Sequence, residues 1–138
     1  MKFLYTNRRA LLIIAAIGNW IGSLIALISP AFFFSQFFQH PPDRYSTFPY
    51  LSLYHFMMWG FILIMGIGYW MCAVNTEKHR VVLLIGGLGK LLAAVFFVML
   101  YAMQQGRWLM IGGGIWDGLF GILFLLLFFA RPAAVQKN

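Results

Sequence analysis

The chain has 138 residues, 62% of them hydrophobic and 9% charged, with ten Lys and Arg against three Asp and Glu. That balance is too apolar for a domain that must cover itself with polar groups in water. The basic residues are scattered among hydrophobic runs instead of forming a groove or stripe, which argues against a nucleic-acid partner. The anionic partner expected is the lipid headgroup, which attracts basic residues beside membrane helices by about 1 kcal/mol each.

A hydrocarbon layer about 30 Å thick needs about 20 helical residues to cross it. Four apolar stretches have that length: Ala10 to Ser29, His55 to Val74, Val81 to Met103 and Trp108 to Ala130. The expected fold is an all-α membrane protein, a single domain over 1–138 built as an antiparallel four-transmembrane-helix bundle with an outer loop at 30–54. Lys2, Arg8 and Arg9, then Lys78 and Arg80, then Arg131 and Lys137 fall at one end, against Arg44 and Arg107 at the other. The positive-inside rule therefore predicts cytoplasmic termini, most simply in a bacterial inner membrane. The basic start followed by Leu11 to Ile28 resembles a secretory signal, but the run is as long as a span and Ser29-Pro30-Ala31 is a poor cleavage motif, so a retained anchor is expected. A single cysteine, Cys72, forms no intramolecular disulfide.

In the first segment Asn19 and Ser23 are spaced i, i+4 with Gly22 beside them, so amide, hydroxyl and backbone share one face that should point inward. Leu11, Ile14, Ile21, Leu24 and Ile28 suit lipid, while Ala15, Ala16 and Ala26 suit packing. Pro30 stops this helix. Phe33, Phe34, Phe37 and Phe38 share a face of a short helix expected to lie in the outer interface. His40 to Arg44 reads as a turn, with Tyr45, Tyr50 and Tyr54 as an aromatic belt.

The second segment presents His55, Trp59, Ile62, Gly66 and Tyr69 as one stripe. Asn75 to Arg80 is short enough to make the second and third segments an antiparallel hairpin, and Gln104 to Arg107 does the same for the third and fourth. Gly86, Gly87, Gly89, Ala93 and Ala94 surround Lys90, and Gly113, Gly114, Gly118 and Gly121 surround Asp117. Small residues admit a neighbouring backbone, so both charges are expected at helix interfaces.

Lys90 and Asp117 are the strongest site hypothesis, because either charge alone would be costly at membrane depth. From a rise of about 1.5 Å per residue, they lie about 3 Å to opposite sides of their span midpoints. Side chains lean toward helix N-termini, which sends these two apart on antiparallel helices, although a lysine is long enough to cover the offset. Three readings follow: a structural pair, a ligand or proton site, or charges snorkelling away from each other. Asn19, Ser23, His55 and Tyr69 complete the polar core in either of the first two.

No catalytic residues are assigned, since HExxH, a phosphate-binding loop, paired catalytic carboxylates and a nucleophile turn are all missing. His55, Met58 and Trp59 with His40 would suit a soft ion, but no strong ligand spacing supports a metal, and no cofactor is expected. The chain resembles small multidrug-resistance transporters in size and helix number alone, because their first helix carries a glutamate where this chain has Asn19. The leading expectation is a non-catalytic accessory, assembly or interaction subunit of a membrane complex, acting through another membrane protein or a second copy. The alternatives are a carrier of a small hydrophobic or anionic ligand and a lipid-processing enzyme using His55 or Asp117.

Overall fold

The structure is a computed structural model that describes residues 2–40 and 49–130. Among the described residues five helices follow one another: α1 (Lys2–Ile28), α2 (Pro30–Phe37), α3 (Pro49–Val74), α4 (Arg80–Ala102) and α5 (Trp108–Phe129). Four of them contain stretches long and apolar enough to cross a membrane, Thr6–Ile28, Ser52–Val74, Arg80–Ala102 and Trp108–Phe129. The Pro41 to Arg44 part of the expected turn, Tyr45, Arg131 and Lys137 lie outside the described residues, as do the side chains of Lys2 and Tyr50.

Two helices start earlier than the apolar pattern indicates. α1 begins at Lys2 instead of Ala10, and α3 at Pro49 instead of His55, so the loop placed at 30–54 is shorter than expected. Hydropathy marks where a helix becomes apolar, whereas a helix continues until its backbone is interrupted. Pro49 is the first residue of α3, where a missing N–H costs nothing and the fixed φ suits the helix.

The bundle is two intimate pairs. α1 lies along α3 and α4 along α5, with much sparser contact between α3 and α4 or between α1 and α5. The short α3–α4 turn therefore makes those helices sequence neighbours without making them principal packing partners, contrary to the hairpin reading. The turn is closed locally: Asn75 Oδ1 accepts from the Lys78 amide at 3.0 Å, Thr76 donates to the Cys72 carbonyl at 2.8 Å, and the Cys72 thiol donates to the His79 carbonyl at 3.1 Å.

Within each pair, glycines set the separation. A Cβ on Gly121 would lie 2.8 Å from Leu91 Cγ and 3.0 Å from the Gly87 carbonyl oxygen, and one on Gly87 would lie 3.2 Å from the Gly121 oxygen. The α4 and α5 backbones thus touch at these two glycines, as small residues permit. Aromatic rings fill glycine notches elsewhere: Trp20 of α1 sits against Gly66 of α3, Trp116 of α5 against Gly18 of α1, and Tyr69 of α3 against Gly86 of α4. Leu12, Ala15, Ala16, Tyr69, Cys72, Leu83, Phe120, Phe124 and Leu127 form the larger buried cluster. Ile14, Ile21, Leu24 and Ile28 are exposed, on the face assigned to lipid.

The α2 aromatic face is turned inward. Phe33 and Phe34 are buried, and Phe33 meets Trp59 edge to face at a centroid distance of 4.8 Å and His55 at 5.7 Å. The α3 stripe offers Phe33 and Phe34 an apolar wall, and those two rings cover it. The chain after α2 is stitched to the α4–α5 turn, with the Gln39 amide donating to the Gln105 carbonyl at 2.9 Å and the Arg107 amide to the Phe37 carbonyl at 2.8 Å. Gln104, with φ of 58°, takes the left-handed position after α4, while its amide and that of Gln105 return to the Tyr101 and Leu100 carbonyls.

At the opposite end Arg80 closes α5. Its guanidinium donates to the Phe128 carbonyl from Nε at 2.8 Å and to the Ala130 carbonyl from Nη2 at 2.9 Å, and it lies 5.4 Å from the Phe128 ring centroid. A cation here satisfies terminal carbonyls and complements the negative end of the helix dipole. Arg80→Gln is expected to cost about 1–2 kcal/mol, since charge-assisted bonds are replaced by at most one neutral bond. Hydrogen exchange should show the last turn of α5 opening first; unchanged protection there would refute the cap.

A candidate polar site within the bundle

Lys90 and Asp117 face each other across the α4–α5 seam. Gly87 precedes Lys90 by three residues and Gly121 follows Asp117 by four, so backbone contact occurs within one turn of both charges. Lys90 Nζ donates to Asp117 Oδ1 at 2.5 Å. The opposing side-chain leans are overcome because the glycines shorten the span that the lysine must cover. The lysine side chain is 8% exposed and the aspartate 18%, so the pair is enclosed more tightly at its cationic end.

The second Lys90 bond crosses to the other helix pair. Nζ donates to Asn19 Oδ1 at 3.1 Å, and Asn19 Nδ2 donates onward to the Ile62 carbonyl at 3.2 Å. An asparagine amide can accept on one side while donating on the other, which suits it to bridge a cation and a helix carbonyl. One chain of polar contacts thereby joins α5, α4, α1 and α3. Tyr69 forms its wall: the ring centroid is 5.9 Å from Lys90 Nζ, and a Cβ on Gly86 would stand 2.5 Å from the ring. Cation and aromatic face attract at that separation.

His55 is not in this cluster. It is buried nearer α2, with Nε2 2.9 Å from the Ala26 carbonyl; that pairing makes Nε2 the protonated nitrogen. Ser23 lies between the two levels and is fully buried. The six polar residues picked from the sequence therefore divide into Lys90, Asp117, Asn19 and Tyr69 around one point, with Ser23 and His55 farther along the α1–α3 interface. The Ile62 carbonyl, the Trp116 contact and the Arg80 cap escaped sequence reasoning, because a backbone acceptor and a tertiary partner leave no residue-type signal.

Among the described residues no group of three or more His, Cys, Asp or Glu side chains could hold a metal ion. Among the described residues, clefts open at both ends of the bundle. One of about 450 Å³ lies between the start of α1 and the α3–α4 turn, lined by Thr6, Arg8, Arg9, Asn75, Thr76 and Glu77 among others. The second, about 220 Å³ and largely apolar, is lined by Phe33, Phe34, Phe38, Tyr54, His55 and Met58.

No protein-family model, curated protein or solved structure matches the chain. The class defined by the fold is that of a helical-bundle protein with four helices able to cross a membrane.

Proposed function

We propose that the protein is a non-catalytic integral membrane subunit that works by association with another membrane protein. The observation that carries this reading is the saturation of the buried charges by their own helices: Lys90 binds Asp117 and Asn19, and Asn19 binds the Ile62 carbonyl. Such a set fixes how helices pack, and it draws its acceptors from the protein instead of from a solute. His55 and Asp117, the residues a lipid-processing enzyme would use, are each engaged with protein groups, which weighs against that chemistry. A Cβ added at Gly89 or Gly112, on exposed parts of α4 and α5, would meet no neighbouring element within 4 Å, leaving room for a partner helix to approach.

The location that suits this role is a bacterial inner membrane with both termini inside. Support comes from Arg8, Arg9, Lys78 and Arg80 lying at the α3–α4 end, while Arg107 lies at the other. At the α3–α4 end the cleft beside Arg8 and Arg9 suits contact with anionic headgroups. A second reading, a carrier of a small hydrophobic molecule, is favoured by the apolar cleft beside His55.

Extraction into native-lipid discs, followed by mass measurement and identification of bound components, distinguishes the two. Association predicts a stoichiometric protein partner or a second copy. A strictly monomeric chain carrying a stoichiometric small hydrophobic molecule would replace it with the carrier reading.

A further inference from the structure

Two polar atoms in the α1–α3 interface have no hydrogen-bond partner among the described residues, the Ser23 hydroxyl and the Trp59 indole N–H. Both residues are closed off, Ser23 at 0% and Trp59 at 8% exposure. Burying such a group unpaired is destabilising, because it gives up its bonds to water without replacing them. The neighbouring levels of the same interface pair their polar groups, Asn19 with the Ile62 carbonyl and His55 with the Ala26 carbonyl.

Those two bonds fix the helix register. As many residues separate Asn19 from Ala26 as separate His55 from Ile62, so levels on the antiparallel helices match one to one. Ser23 therefore falls level with the Met58–Trp59 turn, and the Trp59 ring lies 3.9 Å from a Cβ placed on the adjacent Gly22. The two residues sit at one level of the paired helix backbones, with His55 about one turn toward α2 and Asn19 about one turn deeper. An indole N–H only donates, whereas a hydroxyl donates and accepts, so a small group that itself accepts and donates would satisfy both. A buried water does this, provided it has two to four polar partners.

We infer that the α1–α3 interface holds water at Ser23 and Trp59, and that this hydrated level links the cleft at His55 with the Asn19–Lys90–Asp117 cluster. His55 lines that cleft, and the polar steps inward are the His55–Ala26 bond, Ser23 with Trp59, Asn19, and the charge pair. The ligand class is water together with the protons it carries, and it reaches the buried pair from the α2 end. This holds for either role of the bundle, since it concerns access to the pair and not the partner.

The test uses the full chain in bilayers. The Trp59 indole N–H, assigned by its loss in Trp59→Phe, should show magnetisation exchange with water, and Ser23→Ala should weaken that signal. In thermal unfolding, Ser23→Ala and Trp59→Phe should each lower the midpoint by a few degrees, and the double variant should lose less than the sum, because one hydration site serves both groups. An indole N–H with no water signal, or a Ser23→Ala variant as stable as the parent or more so, would overturn the inference. Should the variants fold poorly, the water signal of the unaltered chain decides alone.

Discussion

Asp117→Asn and Lys90→Met are each expected to destabilise the protein by about 3–5 kcal/mol, while the double variant stays much closer to the parent. Each single change leaves one charge inside an apolar bundle without its counter-charge, whereas the double change removes both. Asp117→Asn should be the more damaging, because Lys90 is the more enclosed partner and would keep only neutral acceptors such as Asn19. The measurement is a double-mutant cycle of reversible unfolding in one detergent; additive losses would show that the residues act independently.

Enlarging Gly121 should be comparably severe. A Cβ there meets Leu91 at 2.8 Å and the Gly87 carbonyl oxygen at 3.0 Å. The leucine is able to rotate, but the carbonyl belongs to a helix backbone and moves only if α4 moves. Gly121→Ala is expected to cost about 1–3 kcal/mol by overpacking, and Gly121→Val more. Because the backbone contact is what brings Lys90 within reach of Asp117, the same substitution should weaken their coupling in the cycle above. Gly112→Ala is the matched control, since a Cβ at Gly112 meets nothing within 4 Å. Equal melting temperatures for Gly121→Ala and Gly112→Ala would contradict the role given to the Gly87–Gly121 contact.

The four long helices were legible because their apolar runs are each about 20 residues long, broken by at most one charge, and bounded by charged or proline-containing segments. The inward faces were legible too: Ser23, His55, Trp59 and Tyr69 fall on helical spacing, and all are buried. Pairing between helices was less legible. Chain connectivity favours sequence neighbours, but packing here follows complementarity, with Trp20 fitting Gly66 and Gly121 fitting Gly87. The α2 phenylalanines illustrate the same gap, since an apolar face is equally suited to lipid and to another helix and only the position of His55 and Trp59 decides. Asn19 was identifiable as an inward polar residue; its bond to Lys90 depends on how the α1–α3 pair is set against α4–α5.

The most direct measurement is the dipolar coupling between Lys90 Nζ and Asp117 Cγ, read by solid-state NMR on isotope-labelled chain in lipid bilayers. An Nζ–Oδ1 separation of 2.5 Å requires a strong coupling at direct-contact range, abolished by Lys90→Met. A coupling too weak for contact, with Lys90 and Asp117 each hydrated separately, would contradict the account of the pair as the pin that joins α4 to α5.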